Sequence, residues 1–198
     1  MADSSDSVLV VEVVLRERAS RDTAQWDAMR SAFALDSHVQ LSWFTGTGPE
    51  FVDASRLMYE RGSRSFHTIG AVSVDIVGHR ALAHEGCAVH TRATLAGVNI
   101  DLASYGRLYQ RLIKFGGKWY ISELTMLYYK DVVCLVDPAA DPSPLASYKF
   151  PIDRPYKYLA AVLAATGYTI RDDLPGTDRP QLADDYVGAH NKWLRTVQ

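Results

Sequence analysis

At 198 residues the chain has the size of a single domain, long enough to bury most of the surface its unfolded form exposes, and its 21 Lys and Arg against 23 Asp and Glu leave a formal net charge of -2. So small a charge gives no long-range field to draw in nucleic acid or an anionic membrane, and neither is expected as a partner. The first residues, Met1 to Ser7, carry no basic group ahead of the apolar Val8–Leu15 stretch, and no apolar run approaches the roughly 18 residues of a membrane span, so a soluble, cytoplasmic protein is expected.

In chain order, Val8, Val11, Leu15, Ala19 and Asp22 recur at helical steps, which predicts a first helix whose apolar stripe ends in an acid. Trp26, Met29, Arg30 and Phe33 predict a second, short helix, and the alternation from His38 to Phe44 a first strand. A third helix is expected over Glu50–Arg61. The period then changes to two. Phe66–Val77, Ala81–Thr94, Val98–Phe115 and Lys118–Tyr129 predict long strands joined at Gly78-His79, Ala96-Gly97 and Gly116-Gly117 as antiparallel hairpins. The fold class is therefore α+β, with three N-terminal helices packed into a strongly curved antiparallel sheet, a cone-shaped half-barrel enclosing one cavity. Beyond Asp131 a Pro-rich loop leads to helices over Tyr156–Ala165 and Gln181–Trp193. Residues 1-130 are assigned to the cone, and residues 131-198 to an extension packed on the same domain.

Strand alternation suggests where chemistry could sit. Gly86, Ala88, His90 and Arg92 share one face, where small residues beside a histidine leave room for a ligand, and His84 lies on it too. Asp101, Ala103, Tyr105, Arg107 and Tyr109 share a face that is either solvent-exposed or the wall of a polar pocket. Trp43, Phe44, Tyr59, Tyr128 and Tyr129 are either core or the lining of an aromatic cavity. Asp22 fits an N-cap, with Gln25 completing a capping box, as well as it fits a catalytic acid. Cys87 and Cys134 have no redox or zinc spacing and read as buried small residues. No phosphate loop, nucleophile elbow or flavin fingerprint appears, and Asp22, His67 and His90 lack a visible second shell for a metal, so no cofactor is expected.

Several short segments carry a resemblance: Arg21-Asp22-Thr-Ala-Gln-Trp26-Asp27, Phe66-His67-Thr-Ile-Gly70, and Asp101-Leu-Ala-Ser-Tyr105-Gly-Arg107 leading to Gly117-Lys-Trp119-Tyr-Ile121. Over roughly residues 8 to 130 the chain resembles the SnoaL-like branch of the nuclear-transport-factor-like superfamily, which includes scytalone dehydratase and lyases of lignin-derived diaryl diols. The resemblance implies a cofactor-independent elimination on a hydroxylated aromatic molecule, such as a lignin-derived dimer. Water would leave, with or without a further C–C cleavage that releases formaldehyde. It implies Asp22, His67 and His90 as the proton-transfer group, and it turns Tyr105 and Arg107 inward. Arg21 and Trp43 stand where the dehydratase has tyrosines, so Arg21 and Arg107 would stabilise an oxyanion, while Trp43, Phe44, Tyr59, Tyr105 and Asp101 would bind substrate. A ketosteroid-isomerase-like isomerase and a non-catalytic binding or structural subunit are the alternatives. A homodimer or homotrimer is expected.

Overall fold

Long runs of alternating side chains, broken by two-residue turns, can only fold back on themselves. In the computed structural model, which describes residues 4–196, they form β3 (Ser65–Val77), β4 (Arg80–Leu95), β5 (Val98–Phe115) and β6 (Lys118–Leu135) as consecutive antiparallel hairpins. Both residues of the Ala96-Gly97 and Gly116-Gly117 turns have positive φ, the type I′ form whose twist matches the strands it joins.

Two further strands, β1 (Phe33–Leu41) and β2 (Phe44–Gly46), complete a six-stranded sheet in the order β2-β1-β6-β5-β4-β3. The sheet is mixed rather than purely antiparallel, because β1 pairs parallel to β6. The physical reason is the crossover: α3 (Gly48–Glu60) carries the chain from the β2 edge to the far edge before the hairpins run back, so β1 meets the last strand instead of the next one. The two outer strands do not pair, and the sheet stays open rather than closing into a barrel. Register shifts in the β3–β4 and β5–β6 pairs bend it. At the β5–β6 shift only glycine fits, since a Cβ on Gly106 would lie 2.3 Å from the carbonyl oxygen of Leu127.

The helices α1 (Ser4–Asp22), α2 (Trp26–Ser31) and α3 pack on one face of this sheet, and Val10, Val14, Met29 and Phe51 meet Leu112 and Ile121 there in the core. At the start of α3 the Thr47 hydroxyl accepts the Glu50 N–H at 3.4 Å, and the Glu50 carboxylate accepts the Thr47 N–H at 2.8 Å. The first helix is turned from the expected stripe. Val8 and Leu15 are 66 % and 40 % exposed, whereas Val10, Val14, Glu17 and Arg18 are buried. The offset is one residue, about 100° of helix rotation. Counting apolar positions misphased α1 because its inward face carries charge.

The C-terminal segment forms α4 (Ser143–Ala146), α5 (Lys157–Ala165) and α6 (Pro180–Arg195). Tyr156, Leu159, Ala160 and Leu163 join the main core, and the Asp131 carboxylate on β6 accepts the N–H groups of Tyr158 and Leu159 at 2.9 Å each, capping α5 from the sheet. Past the end of β1, Pro175–Thr177 pairs with the freed edge of β6 through Tyr128. Arg154 holds that loop through Asp178 and the Leu174 carbonyl. Cys87 is buried as expected, but Cys134 is exposed on β6. Among the described residues no helix is long and apolar enough to cross a membrane.

Candidate active site

The direction of His67 is set by a bulge. Gly70 and Ala71 on β3 face the single residue Gly86 on β4, between the pairs Ile69↔Cys87 and Val72↔Glu85. Before the bulge Ser65, His67 and Ile69 point toward the helices, and after it Val72, Val74 and Ile76 do. Directly opposed residues of an antiparallel pair share a face, so His67 lies on the side of Val89, and Cys87 and Thr91 lie there with it.

At the end of α1, Asp22 grips this histidine twice. One carboxylate oxygen accepts the His67 backbone N–H at 2.7 Å, and the other lies 2.6 Å from the ring Nδ1. On the far side of the ring, Nη1 of Arg18 lies 3.4 Å from Nε2. A guanidinium can only donate and an ionised carboxylate can only accept, so the partners assign the tautomer: the proton is on Nδ1 and the lone pair on Nε2. Burial and the neighbouring Arg18 charge push His67 down to about 3, against the opposing pull of Asp22, so the ring is neutral. Burial raises Asp22, but the His67 hydrogen bonds and charge outweigh it and hold the carboxyl below its ordinary value.

His67 opens into a cavity with about 660 Å³ of empty space, part of it continuous with solvent. Its walls are mainly apolar, with Trp43 between β1 and β2, Met58 from α3, Leu108 and Met126 from β5 and β6, and Leu159 and Val162 from α5. The charged groups of the lining, Arg18 and Arg21, lie beside His67 and Ser65 respectively. Arg18 is 3.0 Å from Glu17, and both are almost fully buried. Arg21 is likewise buried, which lowers its pKa to about 10. The Cys87 thiol, pushed up to about 11 by burial, is no nucleophile near neutral pH. A neutral, oriented imidazole beside guanidinium donors in an apolar chamber can remove a proton from a bound molecule and return it elsewhere, while the cations hold developing negative charge.

Glu85, on the same inner face of β4, supplies a test of this buried charge. It is 1 % exposed and accepts a hydrogen bond from Gln110 at 2.8 Å, and burial pushes it up to about 7 from 4.5. The folded protein therefore keeps the proton over a range where the unfolded chain loses it. Stability from the protonated form is fully present below pH 4.5 and is lost as pH rises through about 7, roughly 3 kcal/mol in all. Glu85→Gln is expected to raise the melting temperature at pH 8 and to leave it unchanged near pH 4.5 in scanning calorimetry. An equal shift at both pH values would show that Glu85 is an ordinary ionised carboxylate.

The residues expected from sequence divide between the two sides of the sheet. Arg21, Trp43 and His67 line the cavity, Asp22 stands behind His67, and Phe44 stands behind Trp43 with ring centroids 5.7 Å apart. Asp22 is the last residue of α1 and caps nothing; the N-cap of α2 is Gln25. Tyr59 packs on Trp26 and under Arg64, outside the cavity lining. His90 faces the other way, stacked on the exposed ring of Phe66 at 4.7 Å with Nε2 3.1 Å from the Thr68 hydroxyl, so Asp22, His67 and His90 do not converge. Nor do Arg107, Tyr105 and Asp101 point inward. On β5 Leu102, Ser104, Gly106 and Leu108 are the buried set, which puts their neighbours on the outer face. There Arg107 bonds Tyr129 and His84, Asp101 holds Arg92 through paired 2.8 Å bonds, and Tyr105 is 36 % exposed. Sequence reasoning missed Glu17, Arg18, Glu85 and the α5 wall. The signal for Arg18 is its spacing, one helical turn before Asp22.

Residues 4–125 match the family described as a SnoaL-like domain. A PEP2-like protein of Fusarium vanettenii is 27 % identical over 184 residues, spanning 88 % of this chain and 78 % of that protein. Among solved structures, a protein from Novosphingobium aromaticivorans proposed to be a scytalone dehydratase superposes with a TM-score of 0.57 at 15 % identity, covering 69 % of this chain and 95 % of that one. Hexachlorocyclohexane dehydrochlorinase from Novosphingobium barchaimii superposes with a TM-score of 0.59 at 13 % identity, covering 70 % and 96 %. A protein of unknown function from Mycobacterium tuberculosis gives a TM-score of 0.57 at 18 % identity, covering 85 % and 94 %.

Proposed function

The chain belongs to the SnoaL-like domain family, and from that premise and its buried Asp22–His67 pair we propose that it is a cofactor-independent lyase that eliminates water from a hydroxylated aromatic molecule. The supporting observation is the tautomer of His67: Asp22 accepts a hydrogen bond from Nδ1–H, and Nε2 keeps its lone pair on the cavity side, where its one polar contact among the described residues is the long 3.4 Å approach of Arg18. The base removes a proton from the substrate, and the electron pair it leaves forms the new double bond. The C–O bond breaks with its own pair, and imidazolium returns the proton to the departing oxygen. Water leaves and His67 is neutral again, so no redox partner is needed. Apolar walls that include Trp43 suit a flat ring, and the mixed cation cluster suits a phenolate or enolate that forms as the proton leaves.

The test is incubation with a panel of hydroxylated aromatic monomers and dimers, read by mass spectrometry. Loss of water is the expected result, and release of formaldehyde as well would identify coupled C–C cleavage. A product of unchanged mass would make the same pair an isomerase. No turnover of any member, with ligands still bound, would overturn the enzymatic reading.

A further inference from the structure

Among the described residues, one cation in the cavity has no carboxylate of its own, only a distant one that it shares. The ionisable groups facing one another there are Glu17, Arg18, Arg21 and Asp22 from α1, His67 from β3, and Glu85 and Cys87 from β4. Arg18 has Glu17 at 3.0 Å, and both oxygens of Asp22 are engaged by His67. Arg21 stays 4.0 Å from the nearer of those oxygens. Its hydrogen-bond partners are weak ones, the Ser65 hydroxyl at 3.3 Å and the Met58 sulfur at 3.9 Å, and its Nε has none. The side chain is only 9 % exposed and lines the cavity. Burying a guanidinium whose nearest carboxylate is 4.0 Å away and already engaged by His67 is unfavourable, and an anionic ligand would complete the site.

We propose that the substrate is an organic acid, an aromatic hydroxy acid whose carboxylate seats on Arg21 while its reacting carbon meets Nε2 of His67. The edge of a guanidinium formed by Nε and Nη2 matches a carboxylate with two parallel hydrogen bonds, and on Arg21 that edge holds only the sulfur of Met58. The same anion removes an obstacle to catalysis. The charges of Arg18 and Arg21 both oppose protonation of His67, and a carboxylate between them and the solvent compensates that charge, making the ring more basic when substrate is bound. Substrate binding thus prepares its own base. This inference rests on the lyase reading for the role of His67, but not for the binding of the acid.

The experiment compares 4-hydroxycinnamate with its methyl ester by calorimetric titration of the full chain. The free acid is expected to bind about tenfold tighter or better. The preference should vanish in Arg21→Gln, persist in part in Arg21→Lys, and survive in His67→Gln. Nitrogen NMR of the His67 ring should show its pKa rising on saturation with the acid and staying put with the ester, a response that a purely structural Arg21 would not produce. Equal binding of acid and ester by the unmodified protein would overturn the proposal, and so would an acid preference that survives in folded Arg21→Gln. Should that variant fail to fold, the acid–ester comparison and Arg21→Lys decide. Acid binding without turnover of any acid would count against the lyase reading and leave this inference standing. Turnover of neutral phenols with no preference for acids would do the reverse.

Discussion

Replacement of His67 by Gln is expected to reduce turnover of the substrate found in the panel by about a thousandfold, within the range that a positioned acid/base group supplies. Gln keeps a side-chain donor for Asp22 and the backbone bond from residue 67 to the same carboxylate, so the melting temperature should move by only a few degrees. The loss should fall on kcat more than on KM, because Nε2 acts on the reacting proton and the apolar walls hold the ring. His90→Ala is the informative control. That ring lies on Phe66 on the outer face of the sheet, and its removal should leave turnover near the unmodified level. Steady-state rates and calorimetry of the two variants decide the matter. Comparable losses in both would mean that the outer face carries the chemistry, and a normal rate in His67→Gln would remove the proton shuttle altogether.

The contrast between those two histidines also shows where sequence reading stops. A two-residue turn at Gly78-His79 pairs Val77 with Arg80, and the same register carried along the hairpin would set His67 opposite His90, both on one face. The bulge at Gly70-Ala71 slips the register by one, so that His67 meets Val89 and Phe66 meets His90. A glycine in a strand hints at a bulge, but nothing local says that one is present, and one residue is enough to reverse every side chain beyond it. Long strands and tight turns were legible because each rests on neighbouring residues. Which face of β5 turns inward was not, since both faces alternate cleanly and only the docking of helices chooses Leu102 and Leu108 over Tyr105 and Arg107.

The candidate site was legible in its Asp22 and His67 and opaque in its cations. Hydrophobic counting treats Glu17, Arg18 and Arg21 as a solvent face, whereas the helix buries them against His67 and Cys87. Arg18 pairs with Glu17 inside α1 itself, but the His67, Ser65 and Met58 contacts that draw the arginines inward come from elements distant in sequence. The parallel β1–β6 pair and the α5 wall of the cavity have the same character, being consequences of which edge the chain reaches last.

Asp22→Asn should be as damaging as the loss of the imidazole, and for a reason that separates orientation from basicity. Asparagine has nearly the same shape and can still accept the His67 backbone N–H through its carbonyl oxygen. Its other terminal atom is then an amide nitrogen, which donates to Nδ1 where the carboxylate accepted from it. The ring must move its proton to Nε2, and the lone pair that faced the cavity is gone. The same exchange in a Ser-His-Asp triad lowers turnover by about 10⁴ through the wrong tautomer, and a loss of that order is expected here. Nitrogen chemical shifts of the ring should invert between Nδ1 and Nε2. Asp22→Ala makes the complementary case, because it leaves the His67 N–H without its acceptor and should cost about 1–3 kcal/mol of stability as well as activity. If Asp22→Asn kept both its rate and the original tautomer, Asp22 would be a structural clamp on β3, and the basicity of His67 would have to come from the substrate alone.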